Sequence, residues 1–370
     1  MKDDLAELLL AKVMDWTPEN VASERPVVQA MAAYKYDEYG QFSPGMRFVE
    51  SLALWLNQFS KKEERQAAYE FVKKRLIFCS TAEMGHLVSI AYPDVIRPII
   101  LKRVSQLRPD ISHLKISKLL ATDEFKILKR QSLFLGLSDG SHTNIFRRSN
   151  PELSHEQIWQ AYEISSDKAK DMLKDLSKDL AQILKRQPTE DECRFQMVFL
   201  LDDFSGSGRS YLRKTPEDEF KGKIDKFYNQ TKSGISELFN QDNLYICIVL
   251  YMATEQACLW LENLAQEYFS QKSVTWDIKV LQKLSERVPL QEPEDSPFLS
   301  LVEQDCYYDP DVEDEHTKVG GGNVKLGFAN CGLPLVLSHN TPNNSVFLLW
   351  ADPELYKIRG LFPRVSRHRS

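Results

Sequence analysis

The pattern of hydrophobic and polar positions changes part-way along this 370-residue chain. Up to about residue 125, apolar residues recur at helical spacing, for example across residues 46–59 and 60–75, which predicts a helical N-terminal region over residues 1–125. Beyond it, short apolar runs alternate with polar segments of helical period, such as residues 154–164 and 166–186. The apolar runs, typical of strands buried on both faces, fall at residues 132–137, 198–201, 244–252, 274–281 and 333–338. Residues 126–370 are therefore predicted to form an α/β domain with a mostly parallel sheet flanked by helices.

Composition narrows the class of protein. Hydrophobic residues make up 42% and charged residues 27% of the chain, as in globular proteins. No apolar run approaches the roughly 20 residues that span a bilayer, and the start lacks the basic segment of a signal peptide. The six scattered cysteines predict reduced core thiols in a cytoplasmic protein, and the lack of CxxC or HExxH spacing argues against a dedicated metal site. A net charge of −6 argues against nucleic-acid binding over the whole surface, but it leaves a local basic groove open.

The most informative segment is FQMVFLLDDFSGSGRS at residues 195–210. Its apolar run ends in Asp202 and Asp203, and a loop of small residues follows at once. Ligands of parallel sheets bind beyond the carboxyl ends of the strands, where backbone N–H groups of such a loop can converge on an anion. The two carboxylates could accept hydrogen bonds from sugar hydroxyls or hold a divalent cation through water. We therefore predict a site for a ribose 5-phosphate.

Other loop types fit this segment less well. The absence of GxxxxGK[ST] argues against a P-loop NTPase, and a dinucleotide fingerprint would need glycine where Tyr211 stands. The alternative that stays open is a buried strand that ends in a solvated acidic turn.

The segment resembles the phosphoribosyl-diphosphate motif of type I phosphoribosyltransferases: four apolar residues, two acids, three variable positions, then Ser-Gly-x-Ser. The resemblance implies that Asp202 and Asp203 hold the ribose hydroxyls and act in catalysis. It also implies that the following loop binds the 5-phosphate; its residues are Ser205, Gly206, Ser207, Gly208, Arg209 and Ser210.

A wider pattern resembles the phosphoribosyltransferase-like proteins of prokaryotic conflict (antiphage) systems. The shared blocks are DDFSGSG, GxSDGS, LPLV-x-x-HNTPNNS-x-x-x-LW and LFPR, and together they cover roughly residues 75–370. The resemblance implies a phosphoribosyltransferase-like sheet in the α/β domain.

A second candidate segment follows the predicted strand at residues 132–137. By resemblance to the phosphoribosyltransferases, its turn would bind pyrophosphate, helped by two arginines downstream that suit bidentate phosphate contacts. These residues are Ser138, Asp139, Gly140, Ser141, Arg147 and Arg148. The alternative is a tight turn followed by a solvated arginine pair.

A third candidate is the polar block at residues 339–345, which follows the last predicted strand. His339 is a candidate general acid or base, and the amides of Asn340, Asn343 and Asn344 suit the reading of a base edge. The alternative is a turn that caps a helix at residues 345–350, with Asn344 or Ser345 as N-cap. If both strands are parallel members of one sheet, this block and the acidic loop should share one cleft. Arg364 is a further candidate for that cleft, whereas the basic tail at residues 367–369 is expected to be solvated.

These features suggest transfer of a ribosyl-5-phosphate group from a Mg²⁺-bound diphosphate to a nitrogen acceptor, or the reverse cleavage. The ligand would be phosphoribosyl diphosphate or a nucleotide, with Mg²⁺ carried by its diphosphate. The competing hypothesis is a non-catalytic sensor of a nucleotide or signal that regulates a partner protein of a defence system. A nucleic-acid effector is a third class, weakened because Asp interrupts the Lys-rich helix at residues 168–185. Because Asp202 and Asp203 end a strand at the cleft rim, both are expected to be partly exposed and dispensable for folding.

Overall fold

The computed structural model describes residues 3–365, so the basic tail at residues 367–369 lies outside the described residues. The chain forms two compact units: one contains the chain up to Glu83 and again from Ser285 onward, and the other is Met84–Leu284. The predicted boundary after residue 125 falls inside the second unit. Among the described residues, no helix is long and apolar enough to cross a membrane.

The elements are numbered in chain order. The helices are α1 (Asp3–Val13), α2 (Pro18–Tyr34), α3 (Phe48–Asn57), α4 (Lys62–Lys74), α5 (Thr81–Ile90), α6 (Arg97–Leu107), α7 (Ile116–Leu120), α8 (Asp123–Arg130), α9 (Thr143–Ser149), α10 (Ser166–Leu184), α11 (Lys223–Lys232), α12 (Glu255–Phe269), α13 (Ser296–Val302), α14 (Glu315–Lys318) and α15 (Phe347–Trp350). The strands are β1 (Ile77–Cys79), β2 (Ser132–Gly136), β3 (Ile158–Trp159), β4 (Met197–Ser205), β5 (Arg213–Lys214), β6 (Phe220–Lys221), β7 (Tyr245–Thr254), β8 (Thr275–Leu284) and β9 (Leu335–Leu337).

The second unit is built on a parallel sheet with the strand order β3-β2-β4-β7-β8. Alternate residues of β2, β4 and β7, such as Leu135, Leu200 and Ile248, join a core with α10, α11 and α12. On the opposite face of the sheet, Phe134 of β2 stacks on Phe199 of β4 with ring centroids 5.4 Å apart. The predicted fold class, a mostly parallel sheet flanked by helices, is confirmed.

The strand order of this sheet creates a switch point. The chain runs from β2 outward to β3 and then returns to place β4 on the other side of β2, from where β7 and β8 continue outward. Connections therefore leave β2 and β4 in opposite directions, which opens a crevice between their carboxyl ends. In open α/β sheets this crevice is the usual ligand site.

The first unit brings the two ends of the chain together around one core. Trp55 of α3 donates its indole N–H to the carbonyl of Leu348 at 2.7 Å, and Phe71 of α4 stacks on Phe298 of α13 at 3.8 Å. In the same unit β1 pairs in parallel with β9, with Ile77 opposite Leu335. The early helices therefore belong to the same folded unit as the C-terminal segment.

Two predictions about elements were wrong. Residues 154–164 do not form a helix, because the buried amide of Gln157 donates to the backbone carbonyls of Lys129 and Ser132, and Ile158 then pairs with Phe134 in the sheet. The last strand, β9, does not belong to the large sheet. It pairs with β1 in a separate two-stranded sheet of the first unit, so the acidic loop and the 339–345 block do not follow strands of one sheet.

Candidate functional site

Asp202 lies at the switch point, and its carboxylate is the centre of a buried polar cluster. The Ser138 hydroxyl and the Asp203 backbone N–H donate to Oδ1, while the Tyr211 hydroxyl and the Lys223 ammonium donate to Oδ2 at 2.8 and 2.9 Å. We call these residues, with Ser141 at 3.3 Å from Oδ1, the Asp202 cluster. The cluster ties the turn after β2 to the end of β4 and the start of α11.

Burial determines what Asp202 can do. Its side chain is only 1% exposed, so the expectation that it is partly exposed was wrong. Burial raises the pKa of Asp202, and the nearby Lys223 ammonium opposes that shift by favouring the charged carboxylate. Because its oxygens already accept hydrogen bonds from within the protein, Asp202 is placed to position the two loops rather than to contact a ligand.

Asp203 lies on the opposite face of β4 from Asp202, because successive side chains of a strand point to opposite faces. It is half-buried, and its Oδ1 accepts the Phe204 N–H at 2.8 Å. A Cβ atom at Gly140 would lie 2.3 Å from Asp203 Oδ2, so only glycine lets the turn after β2 approach this carboxylate so closely. The structure thus places the predicted pyrophosphate turn beside the second acid of the motif.

The loop at residues 205–210 is held in shape by its own hydroxyls. The Ser205 and Ser207 hydroxyls accept the backbone N–H groups of Gly208 and Arg209 at 3.2 and 3.4 Å. Gly208 has a φ of +74°, and a Cβ there would press on Trp260 at 2.9 Å. Within residues 3–365, no group accepts the backbone N–H of Ser207 or of Ser210. Ser207 is buried and Ser210 is exposed at the end of the loop, so both N–H groups are available to an anion.

Thr254 at the end of β7 fixes the loop from the neighbouring strand. Its hydroxyl donates to the Gly206 carbonyl at 2.6 Å and accepts the Ala257 N–H at 3.0 Å, which caps α12. Sequence reasoning missed Thr254, Tyr211 and Lys223 as parts of the site. An N-cap threonine directly after an apolar run was a usable signal, whereas nothing local to Lys223 indicates that it reaches Asp202.

The chain is similar to a known protein family. The family model named PRTase-CE matches residues 52–364, which is most of the chain. The chain belongs to the PRTase-CE family. This membership confirms a phosphoribosyltransferase-like protein, and the match begins within α3, so it includes much of the first unit. No significant match was found among curated proteins or among solved structures.

In this PRTase-CE protein the turn at residues 138–141 is a short capped helix. The Ser138 hydroxyl accepts the Gly140 N–H at 3.1 Å, and the Ser138 N–H donates to the Ser141 hydroxyl at 3.0 Å. Asp139 is exposed on its surface. Of the two arginines downstream, Arg147 donates to the Ile158 carbonyl at 2.8 Å, and Arg148 is exposed. The pyrophosphate role of these residues stays a prediction.

The block at residues 339–345 lies in the first unit and is held largely by hydrogen bonds between side chains and backbone carbonyls. The Asn344 amide donates to the Phe328 carbonyl at 3.1 Å, and the Asn343 carbonyl accepts the Phe328 N–H at 2.7 Å. Around it, the His339 carbonyl accepts from Gln41 at 2.7 Å, and the Asn340 amide donates to Val365 at 3.5 Å.

The helix that follows this block begins at Phe347, two residues later than expected. The N-cap of α15 is Val346, so the alternative with Asn344 or Ser345 as N-cap was wrong. The Ser345 hydroxyl instead donates to the Leu335 carbonyl at 2.5 Å, and Arg364 donates its backbone N–H to Trp350 at 2.9 Å. The contribution of this block and of Arg364 to ligand selection stays a prediction.

Proposed function

We propose that this PRTase-CE protein binds phosphoribosyl diphosphate, or a nucleotide of similar shape, between the carboxyl ends of β2 and β4. The observation that carries the proposal is the Asp202 cluster, which joins a turn suited to a diphosphate and a loop suited to a 5-phosphate through one buried carboxylate. A preorganised site of this kind loses little on binding, because its loops are already ordered.

Each part of the ligand has a natural place in this arrangement. The 5-phosphate would accept the backbone N–H groups of Ser207 and Ser210, and the diphosphate would face the turn that contains Gly140. Asp203, the less buried acid, would accept hydrogen bonds from the ribose hydroxyls, while Asp202 keeps the loops in register.

The residues fit a Mg²⁺ ion that arrives with the ligand. The described residues contain no group of three or more His, Cys, Asp or Glu side chains that could hold a metal ion. Mg²⁺ is commonly bound by one or two carboxylates together with substrate phosphates. Asp203 would supply such a carboxylate, and the ion would offset the charge of a diphosphate leaving group.

The reaction we propose is transfer of the ribosyl-5-phosphate group to a nitrogen acceptor, or its cleavage from one. The anomeric carbon passes through an oxocarbenium-like state, which a carboxylate close to the ribose stabilises electrostatically. His339, Asn340, Asn343, Asn344 and Arg364 stay candidates for acid–base chemistry and for reading the acceptor base. The similarity of the DDFSGSG, GxSDGS and HNTPNNS blocks to conflict-system proteins supports a role in cytoplasmic antiphage defence, together with a partner protein.

The direct test is calorimetry of the full chain with phosphoribosyl diphosphate, with and without MgCl₂. Ligand at 100 times its dissociation constant should stabilise the fold by about 2.7 kcal/mol. Asp203→Asn should weaken binding, whereas Asp171→Asn, an exposed acid on α10, should not. Absence of heat and of any thermal shift up to millimolar ligand would refute the proposal.

A second function, non-catalytic sensing, is favoured by the burial of Asp202. Because its carboxylate links both loops, a ligand at one loop would act on the other loop through the same cluster, which suits signalling as well as turnover. Phosphorus NMR separates the two functions. Release of diphosphate in the presence of a purine or pyrimidine base identifies an enzyme, and saturable binding without release identifies a sensor.

A further inference from the structure

The second unit has another cleft, at the edge of the sheet opposite to the candidate site. It has a volume of about 570 Å³ and is formed by the end of α8, the turn before β3 and the end of α10. These segments lead into β2, β3 and β4, so the cleft lies at the amino-terminal ends of those strands. We call it the Arg130 cleft; its polar lining includes Lys126, Lys129, Arg130, Gln157, Asp179 and Lys185.

Arg130 is the unusual residue of this cleft, because it is 5% exposed and only partly satisfied. Its Nε donates to Asp179 Oδ2 at 2.6 Å. Its two terminal nitrogens are buried and meet no acceptor within the part of the chain that the structure describes. A guanidinium cannot lose its charge to relieve this situation, and buried donors without an acceptor are costly. An acceptor from outside the described residues is therefore expected at this end of the side chain.

The surrounding charges favour an anion as that acceptor. Among the acids, Asp179 already accepts from Arg130, and Asp123 pairs with Lys126 at 2.7 Å. Glu152 also lines the cleft, but the cationic side chains outnumber the acids. Lys129 and Lys185 add positive charge at the rim.

The backbone under Arg130 is rigidly held. The buried Gln157 amide donates to the carbonyls of Lys129 and Ser132, on either side of Arg130 in sequence, at 2.8 and 2.6 Å. Arg130 itself ends α8, directly before β2. The guanidinium is thus carried by ordered backbone rather than by a mobile loop.

We propose that the Arg130 cleft is a second binding site, specific for the phosphate group of a small ligand. The planar guanidinium presents two parallel N–H groups that match two phosphate oxygens, and Lys129 or Lys185 would contact a third. The site is independent of the proposed transferase function, since it uses different residues at the opposite edge of the same sheet.

The test is equilibrium dialysis of the full chain with radiolabelled inorganic phosphate at low salt, which counts bound phosphate per chain. Arg130→Met should lower that number by about one, whatever the other edge of the sheet binds. Arg130→Lys keeps the charge but loses the two-pronged geometry, so it should weaken the site roughly tenfold. The matched control is Lys174→Met, which removes one charge from an exposed position of α10 outside the cleft.

Arginine side-chain NMR of the wild-type protein gives an independent measurement should Arg130→Met fail to fold. A guanidinium resonance that is absent in Arg130→Lys should shift saturably with phosphate. An unchanged phosphate count in a folded Arg130→Met variant overturns the proposal. So does a wild-type Arg130 resonance that does not move, or one that responds equally to acetate.

Discussion

Asp202→Asn tests whether the Asp202 cluster holds the site together. The substitution keeps the shape of the side chain but removes its charge and replaces one acceptor oxygen by an N–H₂ donor. That donor would then face another donor, such as the Tyr211 hydroxyl or the Lys223 ammonium, each now within 2.9 Å of an Asp202 oxygen. Lys223 would also lose its ion-pair partner in the cluster.

The structure sets the size of the effect. Removing one partner of a fully buried ion pair costs about 3–5 kcal/mol. The Lys223 side chain is 26% exposed, so water recovers part of its solvation and the lower end applies. We therefore expect a loss of about 3 kcal/mol in the free energy of unfolding of the second unit. For about 200 residues this corresponds to a fall in Tm of roughly 6–12 °C.

Hydrogen exchange of the β2 and β4 amides is the suitable assay, because it reports on the second unit alone. The double-mutant cycle with Lys223→Met isolates the pair: removing both charges should cost less than the sum of the single changes. The reasoning would be refuted by an Asp202→Asn variant that loses less than about 1 kcal/mol, or by single changes that simply add.

Three further predictions concern other residues of the second unit. Asp203→Asn should change stability by less than about 1 kcal/mol, because the side chain is half-buried, while lowering affinity for phosphoribosyl diphosphate at least roughly tenfold; urea unfolding and calorimetry measure the two effects. Thr254→Val should cost about 1–2 kcal/mol in urea unfolding, because it removes both the α12 cap and the bond to Gly206, and Thr254→Ser should restore most of it. The Arg186 guanidinium lowers the pKa of Glu192 to about 2, so this pair stabilises the fold above the ordinary glutamate pKa, and the contribution fades as pH falls towards 2. When the free energy of unfolding is measured against pH, Glu192→Gln should lack this decrease. The decrease is below about 1 kcal/mol because the pair is largely exposed.

The sequence by itself determined four strands of the large sheet, β2, β4, β7 and β8, and the location of its main loop. Strands β2, β4 and β7 are buried on both faces, so each had to be a continuous apolar run, and such runs are visible without a structure. The acids at the end of β4 were likewise visible, because a strand that leaves the core there must meet polar surroundings. The matched spacing of the following loop was enough to indicate the family.

Only the tertiary structure decided which of the two acids is buried. The two-residue repeat of a strand places Asp202 and Asp203 on opposite faces. It does not predict that Tyr211 and Lys223 contact Asp202. It also decided that β9 pairs with β1 and that the chain ends share a core. Strand pairing and ion pairing between distant residues depend on which surfaces bury the most apolar area together. Local periodicity does not depend on which strands or residues pair. The sequence therefore placed the loops correctly on their strands but assigned one strand to the wrong sheet.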